Sequence, residues 1–176
     1  MDLHLSWKKI SSEPVLEGPR PVDRVRFSFP DGRESDYDIR RDTDSSVVLA
    51  LTTDNKVILA KQFRPGKMEI LLEMPGGGIK DKQTALAAAE AELREEVGYV
   101  GELEFVGQSW PDAYSTRKSN VFVARNCQSV GDQELDPNEF IEVVLASLDD
   151  FRKHLGTGKL TDVDAGYLAL DYLDLL

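Results

Sequence analysis

One stretch of the chain indicates both the fold and the chemistry: PGGGIKDKQTALAAAEAELREEVGY, at residues 75–99. It places a glycine-rich turn directly before a predicted helix at 84–97. Thr84 is a favourable residue at a helix N-cap, and Gly98 is favourable just beyond a helix C-terminus. The last two turns of this helix carry several carboxylates, although the C-terminus is the end at which negative charge is least favourable.

The acidic side chains of this helix share one face. Glu92 precedes Glu95 by three residues and Glu96 by four, and residues at these spacings are neighbours that repel each other when they carry like charges. A divalent cation would reverse the sign of that interaction, since carboxylate oxygens are ligands that Mg²⁺ and Mn²⁺ prefer. A solvated acidic helix face is the alternative. The glycines before the helix favour the metal site.

The stretch resembles the Nudix box, the loop–helix signature of the Nudix hydrolases, whose pattern ends in Arg-Glu-apolar-x-Glu-Glu-x-Gly-apolar. The match aligns the first glycine of the box with Gly77. It aligns the acidic helix positions with Glu92, Glu95 and Glu96. The resemblance implies a metal-dependent hydrolase.

Two positions depart from the box. Gln83 stands where the box has its early glutamate, and Ala91 stands where it has its arginine. That arginine usually helps to orient the box carboxylates, so its absence favours a lower catalytic efficiency. An acid and a base are lost together, which leaves no unpaired charge. A catalytically impaired, nucleotide-binding Nudix module therefore stays open as an alternative.

Two further motifs narrow the resemblance. KQFRP at residues 61–65 and LLEMPGG at 71–77 look like the ADP-ribose pyrophosphatase branch, which has Gln-aromatic-Arg-Pro and then Glu-Leu-Pro-(Ala/Gly)-Gly. The resemblance covers residues 43–176 and implies an α/β/α sandwich with a mixed sheet. Members of this branch typically carry a small antiparallel β domain before the Nudix fold and form homodimers through it.

The rest of the chain fits this α/β organisation. Residues 22–39 alternate apolar and polar side chains around a Pro-Asp-Gly turn, which is typical of a β-hairpin, whereas the breaker-rich residues 11–21 are predicted to be irregular. We expect an N-terminal β-hairpin subdomain at 1–42, as the dimerisation element, and a Nudix domain at 43–176. Further strands are predicted at 46–52, 56–63, 68–73, 102–106, 120–124 and 140–146, and further helices at 147–155 and from 161 or 162.

The predicted metal ligands come from the helix and the glycine turn. Hydrolysis of a phosphoanhydride requires neutralisation of phosphate charge and an activated water. We predict Glu92 and Glu96 as ligands, followed by Glu95. The backbone carbonyl of Gly76 or Gly77 is a further candidate, because carbonyl oxygens suit hard cations.

The general base is predicted in an acidic loop at residues 132–139. In the resembling branch a glutamate from a later loop often activates the water. Glu139 matches best by its position just before residues 141–143, and Glu134 is second. Glu95 on the helix could serve instead, and a solvated acidic loop is the alternative for either loop residue.

Three residues are predicted to act on the substrate. Arg64 is the best candidate for a diphosphate contact, because the arginine fork matches phosphate oxygens. Glu73 is expected to pair with Arg64 or to orient the glycine turn. Arg40 could reach a nucleotide, with a solvated charge as its alternative.

Composition and charge argue against several classes of protein. A net charge of −11 argues against a protein that binds a DNA or RNA backbone. No apolar stretch approaches the roughly 20 residues that span a bilayer, and no signal peptide is visible. Cys127 is the one cysteine of the 176 residues, which fits a reducing compartment. We therefore expect a cytoplasmic protein without nucleic-acid or membrane partners.

The sequence thus predicts hydrolysis of the pyrophosphate bond of ADP-ribose or a related nucleoside diphosphate sugar, with Mg²⁺ or Mn²⁺. A dinucleotide or a nucleoside triphosphate is the alternative substrate. The nucleotide-binding module without turnover is the alternative function.

Overall fold

The computed structural model describes residues 4–176. These residues form two compact units. The first contains the described residues up to Thr43 together with Asp112–Arg117. The second contains Asp44–Pro111 and Lys118–Leu176.

The described part of the first unit is a three-stranded antiparallel sheet in the order β1-β2-β3. Its strands are β1 (Lys8–Leu16), β2 (Val22–Ser28) and β3 (Glu34–Arg40). The predicted hairpin is confirmed as β2 and β3, and Gly32 in its turn has φ 85°. The irregular structure predicted for 11–21 is wrong for residues 11–16, which lie in β1. Every residue of β1 is exposed, so no apolar alternation reveals it, and an edge strand tolerates Pro14.

Aromatic side chains pack together in this first unit. The ring centroid of Trp7 lies 4.6 Å from that of Phe29 and 5.3 Å from that of Tyr37. Tyr37 stacks on Tyr114 at 6.1 Å. Because few aliphatic residues of this unit are buried, aromatic contacts carry much of its packing.

The second unit contains, among its described residues, a seven-stranded sheet with the path β10-β5-β4-β9-β8. β6 pairs with β5, and β7 pairs with β4. β4 and β9 are parallel, whereas the other pairs are antiparallel, so the sheet is mixed. The strands are β4 (Ser45–Thr52), β5 (Val57–Arg64), β6 (Glu69–Glu73), β7 (Gly76–Gly78), β8 (Tyr99–Ser109), β9 (Ser119–Ser129) and β10 (Ile141–Ala146).

Helices cover both faces of this sheet. The described helices are α1 (Ala85–Val97), α2 (Leu148–Gly156) and α3 (Val163–Tyr172). Alternate residues of β4 supply the two cores: Val47 and Leu49 pack with α2 and α3, while Val48 and Ala50 pack with α1. The α/β/α sandwich with a mixed sheet is thereby confirmed. None of the helices in residues 4–176 is long and apolar enough to cross a bilayer.

The box helix has the predicted ends. The side chain of Thr84 accepts a hydrogen bond from the backbone N–H of Ala87 at 3.1 Å, which caps the N-terminus of α1. Gly98 adopts φ 70°, and its N–H donates to the carbonyl of Arg94 at 2.9 Å. The left-handed conformation at this position favours glycine. The cap residues therefore fix where the acidic last turn stops.

The glycine run before this helix is a strand instead of the predicted turn. Gly76 lies opposite Val47 of β4, and Gly77 lies opposite Ser46. A Cβ atom on Gly76 would lie 2.5 Å from the carbonyl oxygen of Ser46. Glycine thus permits a close approach of two backbones at this point, a requirement that composition alone does not distinguish from a tight bend.

Candidate active site

The carboxylates of α1 contact the glycine strand β7. Oε2 of Glu96 accepts a hydrogen bond from the backbone N–H of Gly76 at 2.9 Å. Glu96 is 4% exposed. The carboxylate of Glu92 lies against Gly77, where an added Cβ atom would overlap it. Two of the predicted metal ligands therefore converge on one three-residue strand.

Burial and mutual repulsion disfavour the charged forms of these carboxylates. Burial, with the charges of Glu95 and Glu139, raises the pKa of Glu92 to about 7, and the positive charge of Lys80 acts in the opposite direction. Burial also raises the pKa of Glu96 to about 8. Within this net shift the charges of Glu92 and Glu139 act in the same direction as burial, and the hydrogen bond from the Gly76 N–H acts against it. A bound divalent cation would favour the deprotonated forms of both groups.

The donors at this point fit a hard cation. Carboxylate and carbonyl oxygens are suitable ligands, and Mg²⁺ usually keeps several waters while it is held by one or two carboxylates. Within residues 4–176, no group of three or more His, Cys, Asp or Glu residues forms a metal-binding cluster. Backbone oxygens or waters would therefore have to complete a coordination shell around Glu92 and Glu96.

Arg64 is held by Glu73 at the edge of this site. Nε of Arg64 donates to Oε2 of Glu73 at 2.5 Å, and the positive charge of Arg64 lowers the pKa of Glu96. Glu73 is 2% exposed, and its Oε1 accepts the backbone N–H of Thr161 at 3.2 Å. Glu73 thus offers almost no surface to a substrate, whereas it orients a guanidinium that is itself accessible.

The two candidate bases in the loop between β9 and β10 have different surroundings. Glu139 is half-buried, and its negative charge raises the pKa of both Glu92 and Glu96. Glu134 is exposed and pairs with Arg94 at 3.0 Å. The charge of Glu139 therefore acts on the helix carboxylates, while that of Glu134 is matched by a guanidinium.

Glu95 lies at the margin of the carboxylate group. Its Oε2 is 4.0 Å from Nζ of Lys80, and its charge raises the pKa of Glu92. Its backbone carbonyl accepts the N–H of Glu134 at 3.0 Å. Glu95 therefore contributes to the negative field of the site and to the attachment of the acidic loop.

Gln83 has a local role in the chain before α1. Its Oε1 accepts the backbone N–H of Lys80 at 3.1 Å, and its own N–H donates to the carbonyl of Lys80 at 3.0 Å. These two bonds close the turn between β7 and the helix. Ala91 is half-buried and leaves no charge there to be matched.

Arg40 belongs to the first unit, where two acids neutralise it. Its Nη2 lies 2.6 Å from Oδ2 of Asp112, and its Nε lies 3.4 Å from Oδ2 of Asp42. Its contact with a nucleotide stays a prediction.

Three residues that interact with the predicted site residues were not predicted from the sequence: Lys80, Gln133 and Thr161. Lys80 lies inside the box turn, so its charge was a visible signal. Thr161 acts through its backbone N–H, which any residue except proline supplies. The side chain of Gln133 donates to the backbone carbonyls of Glu96 and Ile141, and its position among acidic residues gave no signal of these two bonds.

A glycine strand, a carboxylate-bearing helix and an opposing acidic loop on an α/β/α sandwich define a Nudix-type hydrolase. Residues 42–164 match the family model of the NUDIX domain, and the chain belongs to this family. Members of the family generally use a divalent metal ion. The resemblance to the ADP-ribose pyrophosphatase branch is confirmed by the relatives.

The chain is 28% identical over 176 residues to an ADP-ribose pyrophosphatase of Bacillus subtilis, a match that covers 97% of this chain and 94% of the relative. It is 25% identical over 178 residues to a methanol dehydrogenase activator of Bacillus methanolicus, with 96% and 92% covered. A solved structure of an ADP compounds hydrolase superimposes with a TM-score of 0.78 at 24% identity, covering 97% of this chain and 96% of that chain. This structural likeness supports the fold.

Proposed function

We propose that the protein hydrolyses the pyrophosphate bond of ADP-ribose or a related nucleoside diphosphate sugar, with Mg²⁺ or Mn²⁺ as the metal. The observation that carries this proposal is the convergence of Glu92 and Glu96 on β7, where burial raises the pKa of these carboxyl groups to about 7 and about 8. Such a pair is unfavourable without a cation and favourable with one. The full-length likeness to an ADP-ribose pyrophosphatase supports the choice of substrate.

Glu92, Glu96 and the carbonyl of Gly76 would hold the metal ion, and Glu95 is a further candidate. The N–H of Gly76 is directed at Glu96 instead of β4. In a strand, the N–H and C=O of one residue lie along the same edge, which favours the Gly76 carbonyl over that of Gly77. Gly77 instead provides room for Glu92. When bound, the metal neutralises phosphate charge and lowers the pKa of a water ligand.

Arg64 and Glu139 supply the other two functions that the reaction needs. With its Nε held by Glu73, Arg64 keeps its two Nη groups for the oxygens of a diphosphate. Glu139 is the proposed general base, because its charge reaches the carboxylates that would hold the metal. The water that attacks phosphorus would give its proton to the Glu139 carboxylate, and for ADP-ribose the products are AMP and ribose 5-phosphate.

A nucleotide-binding module without turnover is the second candidate. Gln83 and Ala91 favour it, because both replace charged residues of the box. Against it stand Glu92, Glu95 and Glu96, a carboxylate set for which a pure binder has no need. Dinucleotides and nucleoside triphosphates remain alternative substrates of the same chemistry.

A substrate panel tests these alternatives. Purified protein is incubated with ADP-ribose, nucleotide sugars, dinucleotides and nucleoside triphosphates, each with Mg²⁺, Mn²⁺ or a chelator, and phosphate products are quantified. Preferential metal-dependent cleavage of ADP-ribose or a nucleotide sugar supports the proposal. Nucleotide binding without products on any substrate contradicts it and favours the binding module.

Homodimerisation through the first unit is part of the proposal. All nine residues of β1 are exposed, and this strand lies at the edge of its sheet. An exposed edge strand can pair with another chain. Sedimentation velocity of the protein and of an Ile10→Lys variant tests this, with a dimer expected for the first and a larger monomer fraction for the second. A monomeric wild-type protein contradicts it.

The cytoplasm is the proposed compartment. Cys127 is the single cysteine of the chain and is buried, so the fold has no internal disulfide to maintain in an oxidising environment. Fractionation of the producing cells tests this assignment, and recovery of the protein outside the cytoplasm contradicts it.

A further inference from the structure

The acidic loop that carries Glu139 is fastened to the end of α1. The last carbonyls of a helix have no partners within the helix. Here the loop supplies them, because the N–H of Glu134 donates to the carbonyl of Glu95 at 3.0 Å. Next to this bond, the N–H of Val130 donates to the carbonyl of Gly98 at 2.9 Å. The loop and the helix with the proposed metal ligands are therefore connected through backbone groups.

Gln133 is the side chain that joins the two ends of this connection. Its Nε2 donates to the backbone carbonyl of Glu96 and also to that of Ile141, the latter at 3.2 Å. A glutamine amide has two N–H donors, so one group can serve both acceptors. Glu96 lies in the last turn of α1, and Ile141 is the first residue of β10 and follows Glu139 by two residues.

The segment between these contacts has further bonds of its own. The N–H of Asp136 donates to Oε2 of Glu139 at 3.0 Å, and the N–H of Glu139 donates to the carbonyl of Asp136 at 2.9 Å. Leu135 is half-buried and packs against the core beneath α1. The position of Glu139 relative to Glu96 is therefore set by a short chain of contacts that passes through the Gln133 amide.

We propose that Gln133 is a positioning residue for hydrolysis: its carboxamide holds the acidic loop on the last turn of α1 so that Glu139 faces the carboxylates of Glu92 and Glu96. This inference rests on the proposed function, in which Glu139 is the base. Gln133 touches no reacting atom and acts through the loop. A displacement of about 1 Å in a catalytic group can cost about 10²-fold in rate, so loss of the two donors should lower kcat.

Substitutions that preserve the size of the Gln133 side chain distinguish the effect of its hydrogen bonds from the effect of its packing. Gln133→Met keeps the length of the side chain and removes both N–H donors. Gln133→Glu keeps the shape of the side chain and replaces the amide with a carboxylate, which accepts hydrogen bonds and does not donate them when ionised. Each variant should lower kcat by about 10- to 100-fold, while KM should change less than about threefold, since Arg64 and the metal ligands are untouched. Arg94→Ala is the control: it removes an exposed ion pair to the same loop and should change kcat less than about twofold.

A double-mutant cycle identifies the residue through which Gln133 acts. If its effect passes through Glu139, Gln133→Met combined with Glu139→Gln should be no slower than Glu139→Gln alone. Wild-type kcat in both isosteric variants would overturn the inference. Independent, multiplying losses in the double variant would overturn it too.

Hydrogen exchange tests the same inference without activity. The amides of Val130 and Glu134 should exchange at least about tenfold faster in Gln133→Met than in the wild-type protein, because the loop opens locally. Unchanged exchange in that variant would overturn the positioning role. A wild-type protein that hydrolyses nothing in the substrate panel would instead overturn the proposed function, so the two failures are distinguishable.

Discussion

Oε2 of Glu96 accepts a hydrogen bond from the backbone N–H of Gly76 at 2.9 Å, across twenty positions of the chain. This bond joins the last turn of α1 to the strand that precedes the helix. It uses one oxygen of a carboxylate that is 4% exposed. The other oxygen and the carboxylate of Glu92 remain for a cation, which is the geometric basis of the proposed site.

Replacement of Glu96 by glutamine should separate catalysis from folding. Glu96→Gln removes a proposed metal ligand, so metal-dependent turnover should fall by about 10²-fold or more, the order of loss seen when a reacting geometry is disturbed. The fold should persist, because the protonated carboxyl and the amide are similar in shape. Steady-state kinetics and thermal unfolding check both outcomes. Glu90→Gln, at an exposed position of the same helix, is the matched control, and equal activity of the two variants would contradict the metal assignment.

The raised pKa values predict how stability depends on pH. The ordinary pKa of a glutamate carboxyl group is 4.5. In the folded protein the pKa is about 7 for Glu92 and about 8 for Glu96. Between pH 4.5 and about 8 the native state therefore binds more protons than the unfolded state. The free energy of unfolding of the metal-free protein should fall as pH rises through this window. Chemical denaturation from pH 5 to 8.5 measures it.

A variant and a metal ion distinguish the contribution of Glu92 and Glu96 to this pH dependence from that of other titrating groups. Glu96→Gln should have a shallower decline with pH than the wild-type protein. Because a metal ligand must lose its proton, saturating Mg²⁺ or Mn²⁺ should stabilise the protein more at pH 8 than at pH 6. A metal-free slope that is the same in wild type and variant would contradict the assigned pKa of Glu96.

The close approach at Gly77 predicts a defect from a single methyl group. Gly77→Ala places a Cβ atom where the Glu92 carboxylate lies, so that carboxylate must move. The affinity for Mn²⁺ should fall by about tenfold, the lower range for disturbance of groups that support a metal site. Calorimetric titration measures this affinity. Gly66→Ala is the control, since a Cβ atom there meets nothing within 4 Å; an equal affinity in both variants would contradict the arrangement.

The pair of Arg64 and Glu73 predicts a coupled effect on stability. Arg64→Ala leaves the Glu73 carboxylate buried without its guanidinium, a change that typically costs about 3–5 kcal/mol for a buried pair and less here because Arg64 is partly accessible. Combining it with Glu73→Gln should recover part of that loss. Urea denaturation of the single and double variants measures the coupling. Strictly additive effects would contradict the pairing.

Local signals in the sequence predicted much of the fold. Thr84 and Gly98 mark the ends of α1 because caps depend on residues within one turn. Continuous apolar runs predicted the central strands. β1 was not predicted from the sequence, because all its residues are exposed and proline is common in loops. β7 was predicted to be a turn, because three consecutive glycines are as compatible with a turn as with a strand that pairs closely with another backbone.

The candidate site was predictable only in part, because its contacts are long-range. Spacing on one helix placed Glu92, Glu95 and Glu96 together, since the helix itself fixes their geometry. The difference between Glu139 and Glu134 depends on how a loop folds back onto α1, which no local pattern encodes. The same applies to Glu73, which receives its second hydrogen bond from Thr161, 88 positions away.

Cleavage of ADP-ribose by the metal-free protein, measured as Mg²⁺ is added and with the products separated and quantified, tests the proposed hydrolysis directly. We expect no cleavage in chelator, a rate that rises to saturation with Mg²⁺, and AMP and ribose 5-phosphate in equal amounts. Cleavage that is as fast in chelator as in Mg²⁺, or bound ADP-ribose that stays intact at every Mg²⁺ and Mn²⁺ concentration, would contradict it.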